Sequence, residues 1–452
     1  MYKDYAVVAQ IINQWDLVAL SEMIPVIGEL LKFNNHAIKA YRNKTITLAE
    51  LRQSYFQPGY LKLLRELRKL DPSWGLLLTS VGQSSVSELY GFFYRSSTVM
   101  PEKSQYCQDF ACLLALKNQP FARQYFSRIP FVANFRAQKK TFSLVTLHSR
   151  FRTPGESDPE KPSACSEDCK RILSHMIQEI VPETAQLPWI DDSLLKKIVN
   201  NKPLPPTQEN LPEVKKAKEL PLEMLKTRLE YTVEKEDVPR FYEALAVVAE
   251  SKEIERANGT PVIIAGDFNL EYFEKDGDAT DAEQKNMRLW KRALLPHAGT
   301  KVLVNHQVKT SISQSTGPLH NYDHFIMSAS ALPLCDVTSA GSVDFIKELD
   351  YPNSLSATKI SALKAEKLQE LEAWRLVSND LQLKPLRDIH ADGKIRNCYT
   401  GTSEPGSMLD KLYMGYQCQV FYESFEKTGG YKYLVFHALV SDHLPIQMNC
   451  FN

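Results

Sequence analysis

A layered α/β sandwich is the fold class this sequence predicts, and three observations carry the prediction. Short apolar runs of strand length recur along the chain, amphipathic helical stretches lie between them, and the strand spacing reads as antiparallel. Several of the runs also stop abruptly in acidic, amide or imidazole side chains. That is the pattern of sheet strands delivering polar groups to one cleft.

Taken in order, residues 4 to 14 space their apolar members as a helix, and Asp16 to Leu20 reads as a short buried strand ending at Ser21-Glu22. From Ile24 to Leu70 the text is helical and charged, with LKLLRELRKL amphipathic. WGLLLTS (74 to 80), ELYGFFYRSSTV (88 to 99), PFVANFRA (130 to 137) and TFSLVTLHS (141 to 149) then read as a meander of strands. Residues 152 to 220 are rich in Pro, Lys and Glu with no sustained strand period, an inserted and partly helical excursion. A helix from about Val238 to Ala257 leads through Asn258-Gly259 into the strand PVIIAGDFNL (261 to 270). HNYDHFIMSAS (320 to 330) is another strand, 340 to 430 a second excursion, and YLVFHALVSDHLPIQMNC is expected to close the sheet. No internal repeat is visible, so the whole chain, 1 to 452, is read as a single domain carrying two insertions.

Composition narrows the function classes. A chain of 452 residues that is 43% hydrophobic has ample material for a large core. Lys plus Arg and Asp plus Glu balance at 54 each, so no global basic field draws in nucleic acid and any polyanion must be held by a local patch. The eight cysteines form no zinc-type double pair; Cys107/Cys112 and Cys165/Cys169 are the close couples, and a disulfide at either is allowed but not forced. Asn43-Lys44-Thr45 and Asn258-Gly259-Thr260 fit the glycan acceptor pattern, which matters only in a secreted protein. No stretch approaches the ~20 apolar residues of a membrane span. The N-terminus carries no basic region followed by a small-residue cleavage site. Compartment and oligomeric state stay open.

The chemistry sits at the strand ends. Hydrolysis of a phosphodiester needs neutralised phosphoryl oxygens, an activated water and help for the leaving oxygen. Carboxylates and amide oxygens bind Mg²⁺ or Mn²⁺, and a His held by a carboxylate moves protons near neutral pH. Glu22, Asp267, Asn269, Asp323, Asp442, His148 and His443 each stand at or just past the end of an apolar run. Singly each is a weak signal, since an Asp at a strand end is often a turn former; their joint occurrence is the stronger one.

These residues carry a resemblance. With GDFN at 266 to 269, SDH at 441 to 443 and LVALSE at 17 to 22, the chain resembles the endonuclease/exonuclease/phosphatase superfamily. The members of that superfamily share a four-layered α/β sandwich of two mainly antiparallel sheets flanked by helices, and a Mg²⁺-dependent phosphoester site. SELYGFFYR, FSRIPFVANF, FSLVTLHS and NYDHFI are most similar to the DNase I branch. The resemblance implies that Glu22 holds the metal with Asp442 close by, and that Glu88 orients His148 and Asp323 orients His443. The two imidazoles would then flank the scissile phosphate as general acid and base. It further implies that Asp267 positions the attacking water and that Asn269, Arg128 and Tyr90 contact substrate, Arg128 as a bidentate fork.

Two departures bear on function. The superfamily opens with a strand carrying a metal-site Asn, and here the residues before Glu22 read as the helix that should follow it, with Asn13 inside that helix; the first strand is therefore expected to be missing. Where the DNase branch places a minor-groove Arg, two residues after the metal Glu, this chain has Ile24. The resemblance thus implies a metal-dependent nuclease, on DNA in preference to RNA. The alternatives are a phosphatase or phosphodiesterase on phosphoinositides or other small phosphoesters, or a scaffold without activity.

Overall fold

The structure, a computed structural model, describes residues 3–23, 28–55, 57–79, 88–117, 122–123, 126, 128–149, 167–231, 237–272, 281–294, 300–303, 308–313, 317–349 and 440–451. Helix α1 (Tyr5–Ile12) leads into strand β1 (Leu17–Met23), followed by α2 (Gly28–Arg42), α3 (Leu48–Ser54) and α4 (Gly59–Leu70). Strands β2 (Trp74–Leu78), β3 (Leu89–Arg95), β4 (Val99–Glu102), β5 (Ala111–Leu113), β6 (Phe131–Ala137) and β7 (Lys140–His148) come next. The first excursion holds α5 (Glu167–Ile180), α6 (Asp192–Val199), α7 (Pro206–Glu209), α8 (Pro212–Lys218) and α9 (Leu222–Glu230), and α10 (Asp237–Asn258) returns to β8 (Val262–Asp267). After α11 (Asp281–Leu294) come β9 (Lys301–Leu303), β10 (Ile312–Ser313), β11 (Gly317–Pro318), β12 (Asp323–Met327), β13 (Cys335–Ser342), α12 (Phe345–Glu348) and β14 (Ile446–Cys450).

The strands make two main sheets. The first has the order β1-β3-β2; the second runs β4-β6-β7-β8-β12-β9 with β5 also on β6. Pairing is antiparallel except between β7 and β8, which are parallel. Parallel neighbours need a long crossover, here supplied by the helical excursion and α10.

The alternation of β3 explains the layering. Tyr90, Phe92 and Tyr94 point into the core between the sheets, where Phe92 stacks on Phe131 at 5.1 Å and meets Phe135 edge-on at 5.5 Å. Leu89 and Phe93 point the other way, onto Leu63 and Leu67 of α4, Ala9 and Ile12 of α1, and Trp74. On the outer face of the second sheet, Val145, Leu147, Val262 and Ile264 pack against α5, α10 and α11 through residues such as Met176, Phe241 and Trp290. Two sheets face to face with helices outside each make the expected four layers. Helices α6, α8 and α9 close a separate small core around Leu194, Leu195, Val214 and Leu225.

Two sequence readings are revised, and two that the sequence left open are narrowed. ELYGFFYRSSTV is two strands rather than one: the chain turns at Ser96 to Thr98 and passes from the first sheet to the second. Among the described residues the SDH segment does not close a main sheet; β14 pairs with β13, and the disulfide Cys335–Cys450 joins the two. Cys107–Cys112 is also a disulfide, while Cys165 lies outside the described residues. Asn258 has its amide occupied, accepting from Ser104 Oγ and the Tyr106 N–H and donating to Ser143 Oγ, which argues against a glycan there. Residues 152–166 of the first excursion and 350–439 of the second lie outside the described residues as well.

The expected first strand has no counterpart among the described residues. There β1 pairs with β3 alone and β14 with β13 alone, and both strands line a cavity of 1230 Å³.

The inter-sheet aromatic cluster sets a stability prediction. Phe92→Ala removes a fully buried ring that touches both sheets, and the expected loss is about 3–5 kcal/mol by urea denaturation.

Candidate active site

The candidate residues converge because five strands end in one place. Parallel pairing sets His148 opposite Asp267, and antiparallel pairing sets Asp323 opposite the same Asp267. Gly266 makes that convergence sterically feasible: a Cβ there would lie 2.1 Å from the Leu147 carbonyl oxygen. Just beyond β8, Asn269 takes a left-handed φ of 51° that Asn tolerates, and its N–H donates to Asp267 Oδ1 at 2.7 Å. The Asn269 amide donates to the Ser149 carbonyl at 3.2 Å and faces Asp267 Oδ2 at 3.3 Å, so much of its capacity goes to shaping the turn and fixing Asp267.

Glu22 is aimed by an irregularity in β1. The register of β1 on β3 shifts between Leu20 and Met23, and Glu22 adopts a φ of 58° at that bulge. An acidic side chain held in a left-handed backbone is costly, and bulges of this kind re-aim side chains next to active sites. Glu22 thereby comes within 3.4 Å of His148 Nδ1 through Oε1, while Glu88 Oε2 lies 3.8 Å from the same nitrogen.

His443 is held on the far side. Its Nδ1 lies 2.6 Å from Asp323 Oδ2 and its Nε2 3.8 Å from Asp267 Oδ2. The segment is stitched down by backbone bonds: the Leu444 N–H donates to the Thr310 carbonyl at 2.6 Å and the Ile312 N–H to the Asp442 carbonyl at 2.7 Å. Thr310, not singled out from sequence, also accepts the Tyr322 and Asp323 N–H groups on its hydroxyl.

The two histidines sit in opposite electrostatic settings. Burial, the Arg128 guanidinium and His443 lower the His148 pKa to about 3, so it is a neutral imidazole. Burial alone would also lower His443, but Asp323, hydrogen bonded to it, outweighs burial and its pKa is pushed up to about 10. Burial together with Asp323 raises Asp267 to about 7. Burial and the neighbouring Asp442 and Glu88 raise Glu22. Asp323, despite burial, is held below the usual carboxylate range by His443.

Three expected contacts take a different form. Arg128 donates from its terminal nitrogen to Glu88 Oε1 at 3.1 Å while its Nε lies 2.5 Å from Glu88 Oε2, so its fork grips Glu88. Glu88 therefore approaches His148 without hydrogen bonding to it. Tyr90, expected on the substrate, is 4% exposed, and its hydroxyl accepts the His148 backbone N–H at 3.0 Å. Lys3, which the sequence reading passed over, lines the cavity beside Glu22, Asp267, Asp323, Asp442 and His443; burial lowers its pKa against the pull of Asp442 and Glu22.

The residues fit a divalent cation. Oxygens of Glu22 and Glu88 and a ring nitrogen of His148 lie within 4.8 Å of one another, and His148 Nδ1 is buried with no hydrogen-bond partner among the described residues. A neutral imidazole facing two carboxylates is a suitable donor set for a divalent metal ion.

No protein-family model matches the sequence, and no curated protein matches it. Among solved structures, a mannosyl-6-phosphatase of Bacteroides thetaiotaomicron aligns at 12% identity and a TM-score of 0.33, over 72% of this chain and 76% of that one. An endonuclease/exonuclease/phosphatase family protein from the same organism aligns at 11% identity and 0.30, over 69% and 84%. A humanized D. rerio TDP2 aligns at 11% and 0.26, over 72% and 78%.

The Asp323–His443 pair yields a pH prediction. Folding raises the His443 pKa, so the pair stabilises the fold fully below the ordinary histidine value of ~6.5. That contribution is lost as pH rises through about 10. In Asp323→Asn the His443 titration, followed by imidazole NMR, should move from about 10 down toward the ordinary value.

Proposed function

We propose that this protein is a divalent-metal-dependent phosphoester hydrolase, with nucleic acid phosphodiesters, DNA before RNA, as the preferred substrate class. The observation that carries the reading is the pairing of a cationic His443, 2.6 Å from Asp323, with a neutral His148 that faces Glu22 and Glu88 across the same cleft. A cleft walled by Glu22, Asp267, Asp323 and Asp442 repels an anionic phosphate unless a cation is added. Glu22, Glu88 and His148 would hold that cation, with Asp442 close by. When bound, it supplies charge neutralisation on the phosphoryl oxygens and a more acidic water.

The remaining roles belong to the chain. His443, protonated at neutral pH, donates a proton to the leaving oxygen, and Asp323 stabilises the imidazolium beforehand. Asp267, whose pKa burial and Asp323 raise to about 7, accepts the proton of the attacking water when ionised. Asn269 keeps the Asp267 carboxylate in place. Lys3 lies on the cavity wall, where its protonated form would add positive charge. One acid and one base with pKa values pushed apart are what the reaction requires.

The test uses plasmid DNA, RNA and a phosphoinositide panel, each with Mg²⁺, Mn²⁺ or EDTA, beside His443→Ala. Plasmid nicking that EDTA abolishes and His443→Ala lowers by roughly 10²–10⁴-fold is the expected result. Phosphate release from phosphoinositides without nicking would replace the nuclease by a phosphatase. No turnover of any substrate would overturn the enzymatic reading.

A further inference from the structure

Tyr90 is buried between the sheets, and its hydroxyl ends on the backbone of His148 rather than in the cleft. The register of β7 explains why an outside acceptor is needed there. The Ser143 and Ser149 N–H groups donate to Pro261 and Asp267 on the β8 side at 2.8 Å, so the N–H groups of the even-numbered residues point toward β6. β6 follows β7 only to the pair Phe131 and Thr146, and the His148 N–H is the next donor in line. A buried N–H is almost always paired, and the phenol oxygen of Tyr90 does this at 3.0 Å from the opposite sheet.

Tyr90 is itself held firmly. Its N–H donates to Thr79 Oγ1 at 3.1 Å, and its carbonyl accepts the Thr79 N–H at 3.0 Å. Glu88 stands two residues earlier, and side chains two apart on a strand share a face. The start of β3 thus reaches His148 twice, through Glu88 near ring Nδ1 and through Tyr90 at the main chain.

We propose that Tyr90 is a positioning residue: by fixing the His148 backbone it sets the imidazole against Glu22 and Glu88, and so sets the geometry of the cation site. The inference rests on the metal-dependent hydrolase reading. It adds a residue that touches neither substrate nor metal but controls both kcat and cation affinity.

Tyr90→Phe keeps the ring and its packing and removes only the acceptor oxygen. With bis(p-nitrophenyl) phosphate and Mg²⁺, kcat should fall roughly tenfold while KM changes less than about twofold. Mn²⁺ affinity of the unreacted protein, by calorimetry, should weaken by a similar factor. In a His148→Ala background the same change should cost nothing further, since the effect runs through His148. A Tyr90→Phe protein with unaltered kcat and unaltered Mn²⁺ affinity, or one equally costly in both backgrounds, would overturn the inference while leaving the hydrolase reading intact. Full activity and full Mn²⁺ affinity of His148→Ala would instead remove the site reading and this inference with it. If Tyr90→Phe does not fold, 3,5-difluorotyrosine at position 90, whose oxygen is a weaker acceptor, should give smaller losses in the same two measurements, and no loss in either would overturn the inference.

Discussion

The site depends on the parallel pairing of β7 with β8. That pairing places His148 against Asp267, and the antiparallel neighbour β12 then places Asp323 against Asp267 from the other side. The approach of the two backbones at Gly266 leaves no room for a side chain, so the residue before the central Asp must be the smallest one. The long α10 and the apolar faces of β7 and β8 hold this geometry from outside, through a core that includes Phe241, Phe268 and Trp290. A packing constraint far from solvent thus determines where three ionisable groups meet.

Electrostatics then divides the labour. Burial acts to lower the pKa of both histidines, and what separates them is the company each keeps. Asp323 hydrogen bonds to His443 and keeps it charged; Arg128, engaged with Glu88, adds a repelling positive charge near His148. One imidazole is therefore held charged and the other neutral. Stability lost in burying so many carboxylates is offset by the sandwich core around Phe92, Phe131 and Phe135.

Much of this was legible in the sequence, and the failures have physical causes. GDFN and SDH announced themselves because a strand that ends in Asp, Asn or His breaks its own apolar pattern. The main strands followed their period, and the first excursion read as partly helical from its composition and its loss of a strand period. The bulge that aims Glu22 left no mark, since a single extra residue shifts register without changing composition. Tyr90 was expected to contact substrate, and its burial against His148 left no mark because a strand's alternation says which residues share a face but not which face meets the second sheet. The break after Arg95 was missed because Ser96 to Thr98 turns without Gly or Pro. β5, β9, β10 and β11 are too short to show a period. Lys3 lies before the first helix, where no pattern marks a cavity wall.

The Cys335–Cys450 bond carries a last consequence. It spans 115 positions and encloses the stretch that bears Asp442 and His443. The polypeptide is thereby a closed ring from β13 to β14, so a peptide bond cut anywhere between those cysteines releases no fragment while the bridge stays oxidised. His443 would remain covalently tied to the body of the protein through one side of the ring or the other. The segment that bears Asp442 and His443 is in this sense fastened at two points.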